Sequence, residues 1–128
     1  MPQKASILIV DDDEGMLETL SDILKEKGYQ TETAKTGMKA IAKAKVYPFD
    51  IALLDIRLPD MLGTEVLRTL RKEQPAMMII MITANATLTT AVDALNLGAN
   101  AYIMKPIDPE ILDKTIKRCL TQIYASRL

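Results

Sequence analysis

Ile51-Ala52-Leu53-Leu54-Asp55-Ile56-Arg57-Leu58-Pro59-Asp60 is an apolar run that ends on a carboxylate and, four residues later, on a proline. A strand buried on both faces has this form when it delivers an acid, Asp55, to a loop at its carboxyl end. In an open α/β sheet the rim outside the strand carboxyl ends is where ligands bind, so the reading turns on what other strands bring there.

Working outward, Ile7 to Val10 is a second short apolar run, and it ends on Asp11, Asp12, Asp13 and Glu14. Leu17, Leu20, Ile23 and Leu24 then recur at helical spacing until Gly28, a C-cap after Lys25 and Lys27. Gln30 to Ala34 reads as a less buried strand. Gly37 opens a short helix whose apolar face is Met38, Ala40, Ile41, Ala42 and Ala44, with Lys39, Lys43 and Lys45 solvated and Pro48 beyond its end. After Asp55, Thr64 is placed to cap a helix with Val66, Leu67 and Leu70 inward, ending before Pro75. Met77 to Ile82 is the fourth strand, with Thr83-Ala84-Asn85 at its end, and a helix from about Leu88 to Leu97 closes at Gly98. Ala101 to Met104 is the fifth strand, cut by Lys105-Pro106. Asp108-Pro109-Glu110 supplies the N-cap, N1 proline and first-turn acid of a last helix with Ile111, Leu112, Ile116, Leu120 and Ile123 inward. Five alternations of strand and helix predict a flavodoxin-like, doubly wound, five-stranded parallel sheet, (βα)5.

Composition narrows the function. The 128 residues fit one domain, and Gln122 to Leu128 leaves room for continuation into a longer protein. The 16 Lys+Arg against 17 Asp+Glu give no electrostatic footprint for nucleic acid or an anionic membrane. Cys119 is the single cysteine and histidine is absent, which removes disulfides and the usual zinc ligands. Any metal must be held by oxygen. Met1 to Ser6 leads into only four apolar residues, too few for a signal-peptide core, and a reducing, cytoplasmic setting is expected. Cys119 and the methionines, Met77, Met78 and Met81 among them, read as core.

The strand ends together deliver Asp11 and Asp12, Asp55, Thr83 and Lys105. Crowded carboxylates repel, so they share protons or hold a hard cation, and magnesium is the natural occupant. Magnesium keeps several waters and commonly bridges to phosphate oxygens, which implies a phosphoryl ligand. A threonine hydroxyl and a lysine ammonium suit the same ligand, leaving an Asp55 oxygen to attack phosphorus in line.

With Asp11-Asp12, Leu-Leu-Asp-Ile-Arg-Leu-Pro around Asp55, Thr83-Ala84 and Lys105-Pro106 in this order, the whole chain resembles the receiver domain of two-component response regulators. The resemblance implies that Asp55 is the phospho-acceptor, that Asp12, Asp55 and the Arg57 main-chain carbonyl ligate magnesium, and that Asp11 reaches it through water. It implies that Thr83 and Lys105 bind the phosphoryl group, that Lys105-Pro106 is cis, and that Thr83 and Tyr102 form the switch, the Tyr102 ring swinging from exposed to buried. Arg57 and Asn85 border the path of hydrolytic water by the same resemblance. The implied partners are a sensor histidine kinase or phosphotransfer protein, and an output domain or downstream protein docking on the face of helix 88–97, the fifth strand and the last helix. No direct nucleic acid or membrane contact is expected, and the chain is a monomer or a phosphorylation-linked dimer. The only reaction expected is self-phosphorylation and self-dephosphorylation on Asp55.

Each residue alone has a plainer reading. An acidic run such as Asp11 to Glu14 is usually a solvated helix start. Thr83 alone is a turn cap, Lys105 faces solvent, and Tyr102 packs at a rim with its hydroxyl in water. Two other functions compete: a haloacid-dehalogenase-type phosphatase using Asp11 and Asp13, in which Gly15 stands where a threonine usually follows, and a receiver-like scaffold that works without phosphorylation.

Overall fold

A computed structural model describes residues 5–84 and 95–126. Strands β1 (Ser6–Val10), β2 (Gln30–Ala34), β3 (Ile51–Asp55), β4 (Met78–Thr83) and β5 (Ala101–Met104) form one sheet in the order β2-β1-β3-β4-β5. Every pairing is parallel. The described helices are α1 (Glu14–Glu26), α2 (Gly37–Val46), α3 (Gly63–Glu73) and α4 (Pro109–Ser126). Most of the helix expected over Leu88 to Leu97, and Asn85, lie outside the described residues; residues 95–96 are helical.

The unbroken apolar strands are explained by two cores, one on each face. Successive strand residues point to opposite sides. Ile7, Ile9, Ile51, Leu53, Ile80 and Ile82 pack with α1 and α4, whereas Leu8, Val10, Ala52, Leu54, Ile79 and Met81 pack with α2 and α3. The sheet is therefore wound in two directions from β1, and the reversal falls between β1 and β3, the strands that end at Asp11 and Asp55. A flavodoxin-like α/β fold is what the sequence predicts, and Cys119, Met77 and Met81 are buried as expected, whereas Met78 is only partly buried and Met104, on β5, is exposed.

Several local expectations are corrected. β4 runs one residue later than predicted, because the Met77 amide closes a turn on Gln74 O (3.1 Å) and pairing with β3 starts at Met78. Thr64 does not cap α3: the helix starts at Gly63, after Leu62, with no side-chain cap. The chain enters the helix early because Gly63 donates to Ile56 O (2.8 Å) and sits so close that a Cβ would lie 2.5 Å from Ile56 Cα. Ile111 is 52% exposed, since the buried stripe of α4 is Leu112, Thr115, Ile116, Cys119, Leu120 and Ile123. Met38 and Ala42 are exposed too, leaving Ala40 and Ala44 as the buried side chains of α2 and Ile41 partly buried, while Lys43 folds back to donate to Thr33 O (2.5 Å). The last helix begins as predicted, with Glu110 N donating to Asp108 Oδ1 (2.9 Å).

Three side chains tie elements distant in sequence. Gln74 donates to Ala44 O (2.8 Å) and Tyr47 O (2.6 Å) and accepts from Phe49 N (2.8 Å), closing the end of α2 from the end of α3. Asn100 Oδ1 accepts from Ile79 N (2.8 Å) and from Arg71 (2.7 Å). The Arg71 guanidinium also donates to Pro75 O (3.1 Å), Met77 O and Gly98 O (2.6 Å). Gly98, at φ +107°, leaves room for it: a Cβ there would lie 3.2 Å from Arg71 Nε.

Arg71 thus joins α3 to the entrances of β4 and β5 through neutral acceptors alone. Because its removal orphans partly buried carbonyls, Arg71→Ala is expected to cost about 2–4 kcal/mol. Urea unfolding should show a lower midpoint at unchanged slope. Arg71→Lys should recover little of the loss, since an ammonium cannot span the four acceptors.

Candidate functional site

The acidic run after β1 divides into four roles. Asp11 is 4% exposed; its amide continues the ladder to Ala34 O (3.1 Å) and its Oδ1 accepts from Asp13 N (2.9 Å). Asp12 is exposed at the rim. Asp13 caps α1, accepting from Gly15 N (2.9 Å) and Met16 N (3.3 Å), and Glu14 pairs with Lys35. The plain helix-start reading therefore holds for Asp13 and Glu14, whereas Asp11 and Asp12 belong to the site.

Asp55, at the end of β3, is 7% exposed, and its Oδ1 accepts from Arg57 N (3.2 Å). Thr83 ends β4, is 2% exposed, and its carbonyl accepts from Lys105 N (2.7 Å). The Lys105-Pro106 peptide is cis, and Lys105 Nζ lies 2.9 Å from Asp11 Oδ2 and 3.3 Å from Asp55 Oδ2. Lys105 is thus not the solvent-facing lysine of its plainer reading. One carboxylate oxygen from each of Asp11, Asp12 and Asp55 lies within 4.8 Å of the others. Above them a pocket of about 150 Å³ is lined by Asp12, Asp55, Arg57, Thr83, Ala84 and Lys105. Asp11 is not on its wall.

Burial raises the Asp55 pKa, with repulsion from Asp11 adding to it, against the opposing Arg57 amide and Lys105. Burial works to lower Lys105, but its hydrogen bonds and attraction to Asp11 and Asp55 outweigh this and raise it. Three carboxylates against one ammonium leave the cluster negative, and all its donors are hard oxygens. Such a set fits a divalent cation such as magnesium.

Tyr102 departs from its plainer reading as a rim residue. Its hydroxyl is buried, not in water, and the residue packs against the core on the α2/α3 side, where the apolar ring gains burial. Burial raises its pKa, and Thr83 is close enough to oppose the rise, though without a hydrogen bond of ordinary geometry to the Tyr102 hydroxyl among the described residues. A larger groove, about 1450 Å³, lies at the opposite rim of the sheet, where Ser6, Asp50, Arg71, Met78 and Asn100 are found. No carboxylate cluster of the metal-binding kind lies there among the described residues.

Fold and pocket together define a doubly wound α/β protein with an acidic, oxygen-lined site at its topological switch point. A family model for the response regulator receiver domain matches residues 7–117, and the chain belongs to that family: it is a receiver domain of a two-component response regulator. It is 35% identical over 124 residues to the transcriptional regulatory protein ZraR of Klebsiella oxytoca, covering 97% of this chain and 28% of that relative. The chain thus spans little more than a quarter of that regulator's length. The crystal structure of a CheY-like response regulator receiver domain protein from Methanospirillum hungatei JF-1 superposes with a TM-score of 0.94 at 44% identity, covering 97% of this chain and 99% of that one. A Burkholderia pseudomallei response regulator, solved with a phosphorylated aspartic acid, calcium ion and citrate, superposes at 0.85 with 27% identity, over 97% of this chain and 73% of that one. The phosphatase alternative falls on the same evidence, and Asp13, its required acid, is occupied as a helix cap.

The raised pKa of Asp55 carries a sign for stability. When the folded state holds a carboxyl proton more tightly than the unfolded state, stability falls as pH rises from the unfolded value near 3.8 through the folded one. Ionised Asp55 therefore destabilises the metal-free fold at neutral pH. Asp55→Asn is expected to raise the melting temperature in chelator at pH 7, and the gain should shrink toward zero as pH falls below about 4.

Proposed function

We propose that Asp55 accepts a phosphoryl group from a phosphohistidine of a sensor histidine kinase or phosphotransfer protein, in the cytoplasm. The observation that carries this reading is the convergence of Asp12, Asp55, Thr83 and Lys105 on one small pocket at the switch point, with Asp11 beneath it in the carboxylate cluster and paired with Lys105. The phosphorylated aspartic acid and calcium ion of the Burkholderia relative support it. Asp12, Asp55 and the Arg57 main-chain carbonyl would hold magnesium, with Asp11 reaching it through water. Bound there, the ion neutralises charge on the phosphoryl oxygens.

An Asp55 carboxylate oxygen attacks phosphorus in line as the phosphorus–nitrogen bond breaks, and the imidazole leaves. Lys105, now between Asp11 and Asp55, turns one contact to a phosphoryl oxygen, and the Thr83 hydroxyl donates to another. Water attack at phosphorus later returns phosphate and the free carboxylate. With its hydroxyl buried, Tyr102 already stands in the inward position that a Thr83 hydroxyl drawn toward the phosphoryl group would favour. Leu95, Met104 and Ile111 are exposed apolar residues on the segment before β5, on β5 and on α4, and they make this face suited to an output domain or downstream protein.

Acetyl phosphate with magnesium should give a hydroxylamine-labile adduct that peptide mapping places on Asp55, and Asp55→Asn should form none. An adduct on Asp11, or no adduct, overturns the assignment. Thr83→Ala should still accept the phosphoryl group yet lose its coupling to Tyr102. A two-state shift needs a few kcal/mol, within reach of one or two charge-assisted hydrogen bonds at about 1.5–3 kcal/mol each. Amide spectra with beryllofluoride check this: shifts at Tyr102 and residues 88–97 as large as in the wild type would sink the coupling.

A further inference from the structure

Asp60 has no part in the functional reading above, yet it makes two of the better-formed contacts near the site. Its Oδ1 accepts from Gly37 N at 2.8 Å and its Oδ2 from Met38 N at 2.9 Å. These are the first two amides of α2, which the helix itself cannot satisfy. The side chain of Thr36, the residue ahead of α2, accepts from Lys39 N (3.1 Å) and not from Gly37 or Met38. The two open donors are thus taken by a carboxylate from the loop between β3 and α3. The amides in turn hold the Asp60 carboxyl below the usual carboxylate range.

That loop is the one that carries Arg57. Its base is closed by backbone: Arg57 and Leu62 form an antiparallel bridge, and Gly63 N donates to Ile56 O. Its tip, Pro59 and Asp60, is exposed, and burial does not hold it. At the base itself, Arg57 lines the pocket and its amide orients Asp55. The loop is consequently tied at base and tip: Leu58 and Met61, flanking the tip, pack against the core on the α2/α3 side, and Asp60 supplies the tip's side-chain hydrogen bonds to α2.

We propose that Asp60 is a positioning residue for the divalent-cation site: by gripping the first amides of α2 it fixes loop 56–62, and with it the Arg57 main chain and the Asp55 carboxylate. This rests on the cation-site reading above. The plainer role would be a cap that merely stabilises α2. The two differ in magnesium affinity, which a cap alone leaves unmoved.

The test is calorimetric magnesium titration of the wild type, Asp60→Ala, Asp60→Asn and Asp12→Ala, well below their melting temperatures, with thermal melts in chelator alongside. Asp60→Ala should bind magnesium about tenfold more weakly, the low end of what outer-sphere partners of metal ligands contribute. Asp60→Asn, which keeps one acceptor oxygen, should fall between. The magnesium concentration that half-saturates phosphorylation by acetyl phosphate should rise by the same factor. Should Asp60→Ala fail to fold, Asp60→Asn carries the comparison. Dissociation constants within about twofold of wild type, well short of an outer-sphere effect, overturn the proposal whatever the melts show. If the wild type binds no magnesium, or Asp12→Ala binds it equally well, the cation-site reading fails and this inference with it.

Discussion

Lys105 between Asp11 and Asp55 is the interaction on which the rest of the site depends. Its ammonium lies 2.9 Å and 3.3 Å from their carboxylates, and the two acids have oxygens within 4.8 Å of each other. At an effective dielectric near 20, unit charges at such separations interact by about 3–6 kcal/mol. The lysine attractions can therefore hold the pair together, but exposed Asp12 adds negative charge that nothing in the trio balances. Burial of Asp55 further disfavours its ionised form. The cluster is assembled by one cation and left short of a second.

The fold produces this shortage through topology. β1 and β3 are adjacent and parallel, so the acids at their ends are neighbours although 44 residues separate Asp11 from Asp55. Lys105 comes from two strands away, carried over by the hydrogen bond that its backbone N–H donates to Thr83 O, which extends the β4–β5 ladder past Met104. The cost of crowding the acids is borne by the two apolar cores, whose strand residues are almost wholly buried. A rigid sheet can impose charge repulsion that a loop would relax away.

What the sequence made legible follows from the same physics. Apolar runs ending in polar residues mark strands and their carboxyl ends, and Asp11, Asp12, Asp55, Thr83 and Lys105 stand at such ends in the fold as in the sequence. The helix-spaced leucines of α1 and α3 point inward as read. Failures came where a tertiary contact overrode a local rule. Thr64 has cap chemistry, but the close approach of Gly63 to Ile56 starts the helix earlier. Ile111 is apolar, yet Thr115 and Cys119 hold the buried stripe because spacing from Leu112 and Ile116 decides the face. Asp60, Gln74 and Arg71 were illegible as anything beyond loop and surface residues: most of their partners lie more than 20 residues away and are backbone groups, which leave no mark in side-chain patterning.

These through-space caps also explain how a helix as poorly suited as α2 is kept. Only Gly37, Ala40 and Ala44 are buried on it, with Met38 and Val46 exposed, so its packing is slight. Asp60, just ahead of α3, holds its first amides, and Gln74, just after α3, holds its last carbonyls. α2 and α3 are thereby fastened end to end as a pair. The helix is thus held at its ends as well as by Ala40, Ala44 and Ile41 on its inner face, and one of the end contacts belongs to the loop beside Asp55. Asp60 thereby joins the loop after Asp55 to the start of α2 by two direct hydrogen bonds.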